Sequence, residues 1–567
     1  MSAHVSATDA QTLSKTAAGR GELFLRHRLL ATAYFPSTPI TVPLDWTIDP
    51  FENRSWVFLY QQMTFVNDLL SYDEDHKSTE GRVLVMDILR DWWAQFSTPE
   101  HAPKMAWHDH GTALRAFNLI AVQQALPQDA DQDLAFVRQV MTSHATHLAN
   151  PAHYTQGTNH GLDQSMALYQ LAACGAADTP ETCEAHAALA VTRIRHEIDT
   201  AFAPDGGHRE NSVSYHQFGL MQLNRVRSLM AAYAGGGLPT VTDLDTLIET
   251  ATRNLINLLG PDGLMPQIGD TAIKALPNIF ARTPREDWPA CYRQYLYAIS
   301  GGTRGRAPKR NVMVLPASGW ISVRNHWRDT TAVHLLAHCA YASNYHRHDD
   351  DQSFVLKGYG EDWIIDGGLY QYAERDPYRQ YLRSYRSHSL SAPTGEKPLR
   401  DRARYDGRSG IDLWQTTPKQ TYVHTSSDMF PGHHSTRSFL FQNTPDTDDV
   451  TLTLTDHLAP RTEAALKRRI KMIEAHGYCY TSRFITPVDK EVSIDRNTVK
   501  IRGKTLSLHL TCDGPISDIH IATGAKTPQI DGWRSTKYGT LEPAHSVEFR
   551  YAVPELTTHF RLAWQPH

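Results

Sequence analysis

The segment S-G-G-T-R-G-R-A-P-K-R-N, from Ser300 to Asn311, separates two halves of the chain whose hydrophobic residues repeat with different periods. It is rich in glycine and basic residues and has no large apolar side chain, which is typical of a linker. The chain has 567 residues, more than one ordinary hydrophobic core accommodates. We therefore predict one domain over residues 1–299, a linker over about 300–311 and a second domain over 312–567.

The half before the linker has helical periodicity. Apolar residues recur at helical spacing in three sets: Leu59, Met63, Val66 and Leu70; Val85, Leu89, Trp92 and Phe96; and Leu244, Ile248, Ala251, Leu255 and Leu258. The third set ends at Gly260-Pro261, a helix stop followed by a breaker. Many such helices joined by short loops predict a helical array or toroid.

The half after the linker has the period of β-strands. V-T-L-T-L-T, from Val450 to Thr455, alternates threonine with aliphatic residues, and L-S-L-H-L, from Leu506 to Leu510, alternates in the same way. Turn residues recur between such runs. This pattern favours an antiparallel β-sandwich.

Composition excludes several classes of protein. The net charge of -5 argues against a general nucleic-acid-binding surface, although it leaves room for a local basic groove that binds an acidic polymer. The six cysteines are scattered without a C-x-x-C pair, so a thiolate zinc site is not expected. No apolar run reaches the length of a membrane span. The first residues contain no apolar signal core, so we expect a cytoplasmic protein, or a periplasmic or secreted one if the N-terminus has been trimmed.

One stretch concentrates histidine and aspartate before a predicted hairpin. N-Y-H-R-H-D-D-D-Q-S-F-V-L-K-G-Y-G-E-D-W-I-I-D-G-G runs from Asn344 to Gly368. If it begins in an extended conformation, His346 and His348 point to the same side. With Asp366 and the later His388, two imidazoles and a carboxylate could bind zinc. The alternatives are hydrogen-bonded surface histidines and a solvated turn at the three aspartates.

Three clusters in the helical half also carry chemistry. T-N-H-G-L-D-Q-S begins at Thr158, D-G-G-H-R-E-N-S-V-S-Y-H begins at Asp205, and D-G-L-M-P-Q-I-G-D ends at Asp270. Each has an ordinary alternative: an asparagine helix cap, a buried tyrosine and a connecting turn with an aspartate cap.

Together these motifs resemble the heparinase II/III-like family of polysaccharide lyases, which includes alginate and oligo-alginate lyases. The resemblance also covers D-W-T-I-D-P-F-E-N-R-S-W from Asp45, W-H-D-H-G-T-A-L-R from Trp107, S-G-W-I-S-V-R from Ser318 and I-I-D-G-G-L-Y-Q-Y before Ala373. It implies an incomplete (α/α) toroid followed by a C-terminal antiparallel β-sandwich. It also implies β-elimination at a uronic acid, giving a 4,5-unsaturated product.

The resemblance also implies roles for particular residues. The catalytic group comprises Tyr215, His346, Asn159, His160 and Tyr381; the substrate-binding group comprises Glu210, Asn211, His216, Arg115 and Asp270; the metal ligands are His348, Asp366 and His388. Asn159 and His160 would contact the substrate carboxylate. Tyr381 is preferred over Tyr378 and Tyr385 as a second cleft tyrosine. The expected metal is divalent, with zinc favoured and a structural role.

These residue types suit elimination beside a uronate. The C5 proton lies α to a carboxylate, so its removal places extra negative charge on that group, which Asn and His donors would stabilise. Tyrosine can act as acid or as base, but its ordinary pKa of roughly 10 requires help from nearby groups. Whether Tyr215 performs both proton transfers or shares them with a histidine stays open.

Three alternatives to a lyase remain at this stage. The first is a metal-dependent hydrolase built on His346, His348, Asp366 and His388, and the second is an inverting glycosidase that uses Glu210 and Asp270. The third is a non-catalytic protein that binds glycans or assists capsule assembly. The expected partner in every case is an acidic polysaccharide or oligosaccharide rather than a nucleic acid. The oligomeric state is open, with a homodimer among the options.

Overall fold

The computed structural model describes residues 7–32, 35–400, 408–444 and 448–567. Helices dominate the first 299 residues. The helices are α1 (Ala7–Leu13), α2 (Ala17–His27), α3 (Arg54–Gln61), α4 (Phe65–His76), α5 (Glu80–Phe96), α6 (Asp109–Ala125), α7 (Asp131–Ala149), α8 (Asn159–Ala173), α9 (Pro180–Ala201), α10 (Val213–Ala232), α11 (Leu244–Leu258), α12 (Tyr292–Ile299), α13 (Pro377–Arg383) and α14 (Glu463–His476).

Two of the three predicted helical patterns form single helices. The set from Val85 to Phe96 is buried along α5, and the set from Leu244 to Leu258 is buried along α11. The set from Leu59 to Leu70 spans two helices. Met63 has a φ of 59°, a left-handed conformation that interrupts the chain between α3 and α4. Because the spacing survives such a break, periodicity alone did not reveal it.

A five-stranded antiparallel sheet follows α12. Its strands are β3 (Val312–Leu315), β4 (Trp320–Arg324), β5 (His334–His338), β6 (Phe354–Gly358) and β7 (Glu361–Ile364), paired in chain order. The predicted hairpin before Asp366 is therefore present as β6 and β7. A short ladder in the helical half joins β1 (Leu29–Leu30) to β2 (Thr38–Pro39).

Two further sheets, of five and eight strands, complete the β-structure. One contains β8 (Ser391–Pro393), β13 (Tyr480–Pro487), β17 (Ile516–Thr523) and β19 (Glu542–Tyr551) in the order β17-β19-β13-β8, with β18 (Trp533–Arg534) paired to β19. The other contains β9 (Ser409–Thr416), β10 (Gln420–Ser427), β11 (His433–Thr444), β12 (Asp449–Pro460), β14 (Glu491–Asp495), β15 (Thr498–Arg502), β16 (Leu506–Asp513) and β20 (Leu556–Pro566). Its order is β14-β15-β16-β20-β12-β11-β10-β9.

The sandwich core forms where these two sheets face each other. Phe560 of β20 packs with ring centroids 4.8 Å from Phe484 of β13 and 5.2 Å from Phe549 of β19. The predicted alternation in β12 is confirmed, because Val450, Leu452 and Leu454 are buried while the threonines between them are half-buried. Period-2 burial of this kind fixes the strand register, since a one-residue slip would turn the aliphatic face outward.

The described chain divides into two compact units. The first contains the described residues up to Thr200 together with Arg225–Thr242, and the second contains Ala201–Asn224 and Asp243–His567. The domain boundaries at 299 and 312 stay a prediction. Among the described residues, no helix combines the length and the apolar character needed to cross a membrane.

Candidate functional site

A buried carboxylate organises the polar residues of the second unit. Arg379 donates to Asp270 through both terminal nitrogens, at 2.6 Å to Oδ1 and 3.1 Å to Oδ2. His348 Nε2 lies 2.9 Å from Oδ1 and His346 Nδ1 lies 3.0 Å from Oδ2. Burial opposes ionisation of Asp270, but these hydrogen bonds outweigh it and hold its pKa well below the usual range. We call these four residues the Asp270 cluster.

Two local features bring the cluster together. Gly269 has a φ of +56°, and a Cβ there would lie 2.3 Å from the backbone oxygen of Asn211, so only glycine fits this turn. The Asn211 side chain donates to the backbone oxygens of Ser343 (3.1 Å) and Tyr345 (3.3 Å). Asn211 thereby ties the loop that carries His346 to the segment before α10.

His346 connects the buried carboxylate to a tyrosine. Its ring stacks on Tyr215 with centroids 3.6 Å apart and an interplanar angle of 19°. Its Nε2 lies 3.8 Å from Glu210, and its side chain is 23% exposed. The Tyr215 hydroxyl lies 3.2 Å from that of Tyr372. Burial, followed by the hydrogen bond to Tyr372, raises the pKa of Tyr215 far above its ordinary value, so Tyr215 is protonated at neutral pH.

The conformation of the Asn344–Gly368 stretch differs from the extended one assumed. His346 has a φ of 55° and Gln352 a φ of 70°, each residue lies in a turn, and the segment between them contains no strand. Both histidines nevertheless reach the same carboxylate. The alternative of surface histidines is wrong for His348, which is completely buried.

The three aspartates after His348 are buried rather than solvated. Asp349 accepts two hydrogen bonds of 2.8 Å from Arg400, and Asp351 pairs with Arg347 at 2.7 Å. Asp350 is 1% exposed, its carboxylate has no hydrogen-bond partner among the described residues, and burial raises its pKa to about 7. The solvated-turn interpretation fails because arginines neutralise two of the charges: Arg400, 51 residues away in the chain, pairs with Asp349, and the neighbouring Arg347 pairs with Asp351.

The predicted metal ligands converge beside the Asp270 cluster. His348, Asp366 and His388 each offer one ligand atom, and these atoms lie within 4.8 Å of one another. The Nδ1 of His348 and the Nε2 of His388 are buried and have no hydrogen-bond partner among the described residues. Burial lowers the pKa of His388, but Asp366, Asp350 and Asp349 together raise it above its ordinary value, so the pocket attracts positive charge. Orphaned buried nitrogens beside a carboxylate fit a divalent metal.

Both halves of the chain match a known protein family. The chain matches the family described as Heparinase II/III N-terminus over residues 2–289 and the one described as Heparinase II/III-like, C-terminal, over residues 307–565. The chain belongs to the heparinase II/III family. This confirms the resemblance inferred from the motifs and the enzyme class, a polysaccharide lyase, but not the suggested relation to alginate lyases.

Solved structures of heparinases share the fold. A heparinase III with methylated lysines is 15% identical, has a TM-score of 0.75, and the match covers 100% of this chain and 85% of that one. A heparan sulfate lyase from Pedobacter heparinus is 15% identical at a TM-score of 0.71, over 100% and 84% of the two chains. A further heparinase III is 14% identical at 0.73, over 99% and 87%. The predicted fold class, helices followed by antiparallel sheets, is thereby confirmed. The comparison with curated proteins gave no match.

Two predicted site residues of this heparinase II/III chain are enclosed by other contacts. His216 is fully buried, its Nε2 lies 2.8 Å from the backbone oxygen of Ala251, and burial lowers its pKa to about 4. Tyr381 is 4% exposed, and its hydroxyl accepts from the Gly532 backbone at 3.0 Å and lies 3.3 Å from Asp531. These placements favour supporting roles.

Other predicted residues lie in the first unit. Asn159 is exposed at the start of α8, where Thr158 rather than Asn159 is the cap. His160 stacks on His110 at 4.1 Å, and its Nδ1 lies 3.3 Å from Asp109. The carboxylate of Asp109 also lies 2.7 Å from His108. Asn159 and His160 therefore border a histidine-rich patch of the helical unit.

Arg115 is enclosed within the first unit. It is 1% exposed, and its three nitrogens donate to His144 (2.9 Å), Gln61 (2.8 Å) and Ala106 (2.7 Å). Its guanidinium lies 4.1 Å from the ring centroid of Trp92. These contacts favour a role in holding the helices together.

Sequence reasoning did not single out Tyr372 or Arg379. Tyr372 is 46% exposed, and its ring lies edge-on to His346 at 5.9 Å. It belongs to the motif I-I-D-G-G-L-Y-Q-Y on which the resemblance drew, so that motif was a usable signal. Arg379 gave no signal, because its partner Asp270 lies 109 residues earlier in the chain.

Proposed function

We propose that this heparinase II/III chain cleaves a uronate-containing glycosaminoglycan by β-elimination. One observation carries the proposal: Tyr215 stacks on His346, and the far side of that imidazole is hydrogen-bonded to the buried Asp270. An acid and a base then stand side by side, partly exposed, with their orientation set by buried groups.

His346 is suited to act as the base. When ionised, Asp270 can accept hydrogen bonds but cannot donate them. The proton in its 3.0 Å contact with His346 therefore lies on Nδ1. In the neutral tautomer that carries this proton, Nε2 is unprotonated and lies 3.8 Å from Glu210, beside Tyr215. This nitrogen can take the C5 proton of a uronate, and Asp270 stabilises the imidazolium that forms.

Tyr215 is suited to act as the acid. It is protonated before the reaction, and its hydroxyl and that of Tyr372 lie 3.2 Å apart, so one can supply a proton while the other accepts. In the elimination the C5–H bond breaks and its electrons form the C4=C5 double bond. The C4–O4 bond breaks with its electron pair on O4, which takes the proton from Tyr215.

The substrate carboxylate needs neutralisation during this step. We keep the proposal that Asn159 and His160 bind it, since an amide and an imidazole are donors suited to the charge that develops there. Removing one such donor would cost about 2.7–4 kcal/mol of barrier stabilisation. The exposed amide of Asn159 is free to make such a contact.

Exposed aromatic rings near the stacked pair suit a sugar chain. Tyr345, Tyr372 and Tyr538 are 57%, 46% and 62% exposed, and the rings of Tyr372 and Tyr538 lie 6.0 Å apart. Aromatic faces bind the apolar faces of pyranose rings, while their hydroxyls meet sugar hydroxyls. These residues therefore support a glycan substrate that runs past His346.

A divalent metal, with zinc favoured by the donor set, would be held by His348, Asp366 and His388. When bound, it would supply a fixed positive charge and hold His348 in place. His348 in turn orients Asp270. All three side chains are at most 1% exposed, so the metal site does not face bulk solvent and is suited to a structural role.

The hydrolase alternatives find less support. An inverting glycosidase needs one carboxylate to activate water, yet Asp270 is 1% exposed and both of its oxygens are occupied by Arg379 and the histidines. A metal-activated water would have to form within the buried ligand set described above. Elimination, by contrast, uses Tyr215 and His346, which are partly exposed.

The test is absorbance of the C4=C5 double bond during incubation with a panel of uronate polymers and oligosaccharides. We expect a rising signal on at least one substrate, lost in Tyr215→Phe and kept in Tyr422→Phe. Tyr422 is the matched control because it is a half-buried tyrosine of β10 that belongs neither to the stacked pair nor to the exposed tyrosines beside it. New reducing ends without absorbance would instead establish hydrolysis, and silence in both assays would favour a binding protein.

A further inference from the structure

A large cavity in the second unit has a lining unlike the rest of the surface. Its volume is about 1070 Å³. It lies among α11, the predicted linker, β3, β4 and the β9–β10 hairpin, and none of the Asp270 cluster, Tyr215 or Tyr372 lines it. The reaction centre proposed above therefore does not account for it.

The charged residues that line this cavity are all positive. They are Arg253, Lys309, Arg310, Arg324 and Lys419. The lining includes no aspartate or glutamate among the described residues, although the chain has 61 acidic residues and a net charge of -5. Such segregation concentrates positive potential in a concave place, which raises the local concentration of anions.

Three of these cations are available to a ligand. Lys309, Arg310 and Lys419 are exposed, and their side chains have no hydrogen-bond or ion-pair partner in the part of the chain that the structure describes. By contrast, Arg253 pairs with Glu249 at 2.6 Å, and Arg324 donates to the backbone oxygen of Leu259. The two paired arginines shape the wall, and the three free cations are left to bind an anion.

The remaining lining is typical of carbohydrate recognition. Trp414 lines the cavity with 46% of its surface exposed, and Gln420 of the same hairpin lines it too. Asn254, Asn257 and Asn311 add amide groups. An indole face packs on a sugar ring, amides bond to hydroxyls, and cations bind carboxylate or sulfate groups.

We propose that this cavity is a second, non-catalytic binding site for an acidic glycan. The choice of a glycan over another polyanion rests on the proposed function. If the protein cleaves an acidic glycan, that substrate is the most abundant polyanion near the cavity. The site would hold a polymer by a segment away from the bond being cleaved, so its loss should affect long substrates more than short ones.

The experiment measures binding of a heparan-type hexasaccharide by titration calorimetry, with every variant in the Tyr215→Phe background to prevent turnover. The cavity variant is Lys309→Glu/Arg310→Glu/Lys419→Glu. The matched control, Lys104→Glu/Lys471→Glu/Lys504→Glu, changes the same charge at exposed lysines that do not line the cavity. Trp414→Ala is a second cavity variant without a charge change.

We expect the parent to bind one more hexasaccharide than the cavity variant, or to bind the hexasaccharide in the cavity roughly tenfold more tightly at low salt. Trp414→Ala should also bind the hexasaccharide more weakly than the parent. This result holds whether or not the chain proves to be a lyase, because no turnover is measured. Equal binding by the parent and both cavity variants would overturn the proposal, as would an equal loss in the charge-matched control. Absence of binding by the parent, or tighter binding of a DNA duplex at the cavity, would also overturn it.

Discussion

Two buried aspartate–arginine pairs in the second unit are both bidentate but have different surroundings. Arg379 binds Asp270 through its two terminal nitrogens, and Arg437 binds Asp456 through Nε and one terminal nitrogen, at 2.6 and 2.5 Å. The side chains of each pair are at most 2% exposed. Of the two pairs, only the first is hydrogen-bonded to a partly exposed residue, His346.

The second pair is closed on all sides. Arg437 also donates to the backbone oxygens of Gln352 (3.0 Å) and Ser389 (2.7 Å), and Ser391 donates to Asp456. Every partner is buried. A buried ion pair is therefore no sign of function in this molecule. The distinguishing feature of a site is a partly exposed, proton-carrying residue attached to such a pair.

The largest expected effect comes from removing the proton-accepting nitrogen of His346. His346→Gln keeps a side chain that can donate to Asp270 but removes the nitrogen that takes a proton. We expect kcat to fall by about 10²–10⁴-fold, as for loss of a general base. The unfolding free energy should change little, because the side chain is 23% exposed. Steady-state absorbance and urea unfolding measure the two quantities.

His433→Gln is the control for this substitution, since His433 is a buried histidine of β11 whose Nδ1 contacts only a backbone oxygen, that of Pro431. It should leave kcat unchanged. If His346→Gln retained half of the activity or more, His346 would not be the base, and Tyr215 would have to perform both proton transfers.

The second prediction concerns the closed pair. Arg437→Met leaves the charge of Asp456 buried without its partner and should cost about 3–5 kcal/mol of stability. The double variant Arg437→Met/Asp456→Leu should recover most of that loss, because an apolar pair can replace a buried ion pair. Urea unfolding measures both. Activity per folded molecule should be unchanged, and a fall in kcat comparable to that of His346→Gln would contradict the distinction between the two pairs.

The two pairs also show what the sequence could reveal. Strand alternation in β12 and helical spacing in α5 and α11 follow from local burial, so they were predictable. The motifs identified Tyr215, His346 and the three metal ligands as candidates. The partners of Asp270 and of Asp349 were not predictable, because Arg379 and Arg400 lie 109 and 51 residues away in the chain. Whether a charge is solvated or paired depends on such distant contacts.

The smallest expected effect concerns the predicted metal ligands His348, Asp366 and His388, which share His348 with the Asp270 cluster. Unlike the two pairs, these ligands include two nitrogens without a hydrogen-bond partner among the described residues. Between these ligands a metal would supply the missing positive charge.

We expect purified protein to contain one divalent metal per chain and His388→Gln to contain none, while His433→Gln keeps it. A ligand that binds only the folded state at 100 times its Kd stabilises that state by about 2.7 kcal/mol. Chelation should therefore lower the thermal unfolding midpoint of the parent and leave that of His388→Gln unchanged. Equal metal content in His388→Gln and the parent would show that the predicted ligands are held by protons and hydrogen bonds alone, and they would then join Asp456 among the closed structural networks.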